Sequence, residues 1–186
     1  MVRIADRSDL ATMTTLDSAS AALITVVLAD TGQQDPGGKI HLLGAGWHRT
    51  SLTADGTAPP QAVAVFIEVP AALLGSPVPL TIELVDQDGN LVPQAGHEGH
   101  DHQVQPMRFE QPLTTIRELG APEGAPGHAN VLLVLGGVVL RHASRYDWRV
   151  SFGGRTDRAW QASFATTPLV RQGVGFASGP AGPTDY

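Results

Sequence analysis

Between Gln94 and Val104 the chain reads QAGHEGHDHQV, which sets His97, His100 and His102 within six residues and interleaves them with Glu98 and Asp101. Neutral imidazole ligates Zn²⁺, Ni²⁺ and Cu²⁺, and a carboxylate can complete such a site. These three histidines are therefore the candidate metal ligands. Two features lower the expected affinity. The spacing matches neither the helical HExxH pattern nor a Cys/His finger. The segment also lies between Pro93 and Pro106 and contains Gly96 and Gly99, so it lacks the rigid second shell that a catalytic metal needs. The expectation is weak or adventitious binding of a divalent transition metal, with no resident cofactor, set against a plain solvated hairpin loop.

Other groups with chemical potential read as structure. Asp86–Asn90, DQDGN, opens like a calcium loop but lacks the later glutamate. An Asp-Gly pair between strands is the usual sign of a tight turn. Glu83 and Asp86 then belong to strand and turn surface. The Gly-x-Ser-x-Gly elbow is missing, and without cysteine there is no thiol nucleophile, disulfide or Cys-held zinc. Gly37-Gly38, Gly136-Gly137 and Gly153-Gly154 open no helix, so none forms a phosphate cradle. His41 alternates with apolar neighbours and is expected to be half-buried and satisfied. Trp47, Trp148 and Trp160 would either line a ligand groove or anchor the core, and in a chain with 5% aromatic residues the core has the greater need of them. Catalytic residues are expected to be absent, and the chain to be no enzyme.

The elements that would position these groups are strands. In Ser144–Phe152 the side chains of Tyr146, Trp148, Val150 and Phe152 alternate with Arg145, Asp147, Arg149 and Ser151, the period-two pattern of a half-buried strand. Gly153-Gly154 follows and allows the positive φ angles of a two-residue hairpin; Trp160, Ala162 and Phe164 then share a face of the returning strand. The same alternation marks Val78–Asp86 and Gln61–Val69, where Ala62 and Ala64 suggest a surface closely approached by something else. Ala21–Asp30 and Gly38–Arg49 read as strands flanking a turn over 31–38. His128–Leu140 reads as one strand or two, bent at Gly136-Gly137. Val104–Glu110 reads as a short edge strand because of Pro106, and Gln111–Gly127 as a Pro/Gly-rich crossover.

The implied architecture is all-β: an antiparallel β-sandwich of seven or eight strands, an immunoglobulin- or fibronectin-III-like Greek key. Tyr146 at the start of its strand is placed like the tyrosine of the corner motif. The sandwich is expected over 21–167. Residues 1–20 would form an N-terminal arm, extended or helical, and 168–186 a flexible Gly/Pro-rich tail.

With 186 residues, 42% of them hydrophobic, the chain is long enough for one domain with a real core. A net charge of −6 without a Lys/Arg cluster argues against nucleic acid as a partner. No run of about 20 apolar residues is present, so no membrane span is expected; the start has no signal-peptide pattern either. The expected setting is a virion or the cytoplasm.

Ala29-Asp30, Gly37-Gly38-Lys39, Gly44 to Trp47 and Tyr146 to Arg149 together form a pattern that resembles a group of small all-β proteins of unassigned function, common in actinobacteria. The resemblance covers 21–166 and implies a β-sandwich without any catalytic residue. The resemblance leaves function open; the cysteine-free all-β composition and the lack of a recognisable active site make a non-enzymatic structural or interaction protein the expectation, with proteins as partners, either a larger assembly or copies of itself. A capsid decoration or accessory virion protein of an actinobacteriophage is the most concrete form. The alternative from another class is a small-molecule or metal-binding module that uses the His97–His102 loop.

Overall fold

A computed structural model describes residues 18–19, 21–94 and 105–169. Nearly all of their regular structure is strand. The chain runs through β1 (Leu23–Ala29), β2 (Thr31–Gln34), β3 (Ile40–Leu43), β4 (Arg49–Thr50), β5 (Gln61–Val69), β6 (Pro77–Asp86), β7 (Arg108–Thr114), β8 (Gly127–Leu135), β9 (Arg145–Phe152) and β10 (Arg155–Thr166), with one 3-10 turn at Ala71–Leu73. Among the described residues no helix is long and apolar enough to cross a membrane.

Two sheets face each other. One has the order β1-β5-β8, the other β4-β10-β9-β6-β7, and β2 and β3 form a separate hairpin. All main pairings are antiparallel; only the two-residue β4 runs parallel to β10. The all-β sandwich read from the sequence is what the chain forms, with eight strands in the two sheets and the hairpin added outside. Val63, Val65 and Ile67 of β5 meet Leu80, Ile82 and Leu84 of β6 and Trp148, Val150 and Phe152 of β9 in one buried cluster. Alternation explains it, since each of these strands turns every second side chain inward.

The β9–β10 hairpin closes as its glycines require, with Phe152 opposite Arg155 and φ of 59° and 78° at Gly153 and Gly154. The corner before β9 is tied down twice. The Arg141 amide donates to the Tyr146 hydroxyl at 2.8 Å, the bond that gives the tyrosine corner its name. The buried Thr166 hydroxyl donates to the Arg141 carbonyl at 2.6 Å and accepts from the Ser144 amide at 3.0 Å.

Three expectations need correction. The 31–38 turn is shorter than expected: Thr31–Gln34 pairs with Ile40–Leu43 as a strand, and the reversal is confined to 35–39. The reason is tertiary. This hairpin packs over the outer face of β5 and β8, where Ala62 and Ala64 are fully buried and Gly32 lies so close to Leu132 that a methyl group would meet it at 2.9 Å. Second, β7 runs on to Thr114, so the crossover begins at Thr115 rather than Gln111. Pro112 is accommodated because β7 is an edge strand, where a missing N–H costs no ladder bond. Third, the His41 side chain is 68% exposed and 3.6 Å from Asp35, because β3 belongs to the hairpin and not to the core.

Candidate functional site

His97, His100 and His102 lie outside the described residues. Among the described residues no group of three or more His, Asp or Glu side chains is placed to hold a metal. The Asp86–Asn90 segment is a turn: the Asp86 carboxylate accepts from the Asn90 amide at 2.9 Å and the Asp88 amide at 3.0 Å. Those bonds, the Asn90 amide foremost, hold its pKa below the ordinary value. Glu83 faces outward between Arg108 and Arg149 on the neighbouring strands, with Arg108 at 3.8 Å. Trp148 and Trp160 are buried in the core, while Trp47 is half-buried and packs edge-on against Phe164 at 5.5 Å.

The candidate surface is a sheet edge. A free edge presents unpaired N–H and C=O groups, and native edges are normally blunted by charge, proline, short length or cover. Three of the four edges of the two facing sheets follow that rule. β7 carries Arg108, Glu110 and Pro112, with Arg108 and Glu110 joined as an ion pair. β4 has only two residues. β1 lies against β10, and its Leu28 carbonyl accepts from the Gly46 amide at 2.8 Å.

β8 does not follow it. From Val131 to Leu135 its five residues are all apolar, which is the composition of a central strand covered on both faces. Yet among the described residues it has a strand neighbour only on the β5 side. Of its two outward polar side chains, Asn130 is already bonded to the Gly38 carbonyl at 3.1 Å. Val134 is 56% exposed on the outer face. On the inner face Val131 and Leu133, with Leu80, Ile82 and Phe109, line a cleft of about 330 Å³ where the sandwich opens between β8 and β7, rimmed by Arg108 and Glu110.

The sequence reading found β8 as a strand but not its place at the margin. An uninterrupted apolar run carries no mark of which side lacks a neighbour; the only available signal was the contrast with the Arg, Glu and Pro of β7. No family model matches the chain, and neither characterised proteins nor solved structures give a match.

Proposed function

We propose that the chain is a non-enzymatic interaction protein that assembles through the free edge of β8. Its first partner there is a second copy of itself, and in that form it docks on a larger protein assembly. The supporting observation is the five-residue apolar edge Val131–Leu135 standing beside an apolar cleft. Strand addition to such an edge gains main-chain hydrogen bonds and covers side chains at once. A second copy fits because an antiparallel pair of identical strands is self-complementary about a two-fold axis. With the axis at Leu133, Val131 faces Leu135 of the other copy and Leu132 faces Val134, so every cross-strand pair is apolar and no like charges meet.

The finer fold belongs to the same proposal. The arrangement β1-β5-β8 against β10-β9-β6-β7, with the Tyr146 corner bond, supports an immunoglobulin- or fibronectin-III-like Greek key. An accessory or decoration protein of an actinobacteriophage capsid is the most concrete setting for such a protein.

Sedimentation velocity of the full chain tests the pairing. The expected species has twice the 19.5 kDa chain mass, and Val134→Lys, which places a charge on an exposed position without touching the core, shifts it to the monomer. A wild-type chain that stays monomeric at about 100 μM, where contacts worth roughly 6 kcal/mol would already associate, overturns the proposal.

A further inference from the structure

Facing sheets interdigitate their inner side chains, and voids larger than a water molecule are few in a folded interior. At the open side of this sandwich, between β7 and β8, the sheets nevertheless leave about 330 Å³, the share of roughly eleven water molecules. The floor of this cleft is core, since Leu80 and Ile82 are only 1% and 2% exposed. Its walls are Phe109, Val131 and Leu133, each half-buried and so carrying apolar surface that solvent reaches. A retained water needs about two to four polar partners, and these walls supply none. An apolar space of about half this volume already takes a benzene-sized guest in preference to water.

The mouth of the cleft decides which head group an apolar guest can carry. Arg108, Glu110 and Gln111 stand there, all exposed. The guanidinium is already engaged: Arg108 Nε donates to Glu110 at 2.7 Å, and Nη1 lies 3.8 Å from Glu83. Two carboxylates around one guanidinium leave the rim negative. A carboxylate head would find no free cation and would meet like charge. A hydroxyl can bond to Gln111 or to a Glu110 oxygen without that penalty.

We infer that this cleft binds a small aliphatic amphiphile whose head group carries no negative charge. The inference goes beyond the pairing of β8 and does not rest on it. Its test uses the full chain as Val134→Lys, where the change lies on the outer face of β8, so that no second copy competes for the cleft. Titration of the ¹³C-labelled variant with 1-octanol is expected to move the methyl signals of Val131 and Leu133 and the ring signals of Phe109. The shifts should saturate, with a midpoint on the order of 0.1–1 mM. Leu28 of β1, at the closed side of the sandwich, should stay in place. Hexanol and butanol should bind about fourfold more weakly for each methylene removed.

Octanoate should bind roughly fivefold more weakly than octanol, or worse. Glu110→Gln, which removes charge from the rim and leaves the apolar walls intact, should narrow that gap. Val131→Phe puts a ring into the space and should weaken octanol roughly tenfold, with dispersed methyl signals away from the cleft checking that it folds. Shifts spread evenly over the surface, no saturation within the solubility of octanol, or octanoate binding as tightly as octanol overturns the inference. An octanoate gap unmoved by Glu110→Gln, or full binding by a folded Val131→Phe, does the same. Each of these results leaves the sedimentation test of β8 pairing to stand or fall separately.

Discussion

The Tyr146 hydroxyl accepts the Arg141 amide five residues upstream, in a part-buried corner. Tyr146→Phe leaves that N–H without a partner and is expected to destabilise the fold by about 1–2 kcal/mol. The check is a lower urea midpoint with an unchanged slope; an unmoved midpoint would show that the corner bond contributes nothing. Asp86 contributes to the acid side of stability. Its folded-state pKa lies below the ordinary value because the Asn90 amide, first among its contacts, favours the carboxylate. For a depressed pKa, the stabilisation is present above the unfolded-state value and is lost as pH falls through the folded-state one. The wild type should therefore lose stability below about pH 4, and Asp86→Asn should fall less steeply there. Parallel pH curves for the two would remove this role. Both residues were legible as letters: a tyrosine opening a strand, an Asp-x-Asp-Gly-Asn between two strands. Gln61 and Trp47 were not, since their lining of one cavity depends on how two sheets stack, and no local pattern encodes that.

Among the elements, period-two alternation located β5, β6, β9 and β10, which carry most of the core, because burial of one face is what writes that pattern. It failed for β2, Thr31-Gly32-Gln33-Gln34, which has no apolar face of its own. β2 is a strand because it covers Ala62 and Ala64 and because Gly32 permits the approach to Leu132. Ala64→Leu should thus lift the β2–β3 hairpin by overfilling the contact, at a cost of about 1–3 kcal/mol. Faster amide exchange in Thr31–Leu43 than in β9 would report it, and unchanged protection there would refute the packing. The β9–β10 turn makes a separate prediction. Both of its glycines have positive φ, so Gly154→Ala should cost about 1–2 kcal/mol from the left-handed strain alone, read as a drop in thermal midpoint. The same alternation logic says nothing about sheet order, and so the marginal position of β8 stayed hidden behind a composition suited to a centre.

At the level of the whole molecule, the sandwich is closed where β1 meets β10 and open where β8 and β7 diverge. Its charges follow the same asymmetry. Arg108, Glu83 and Arg149 lie in a cross-strand row over the five-stranded sheet, with Glu110 paired to Arg108 along β7, while the opposite sheet ends in an apolar strand. Under the proposed pairing, a chain built this way keeps one margin charged and offers the other to a second copy. The direct test uses opposite charges at one position. If β8 pairs antiparallel about Leu133, the two copies of residue 134 are diagonal neighbours on one face, roughly 7–8 Å apart. Val134→Lys and Val134→Glu should each sediment as monomers, and an equimolar mixture of the two should recover a dimer. Variants that each remain dimeric, or a mixture that stays monomeric while the wild type pairs, would show that the copies do not meet along β8.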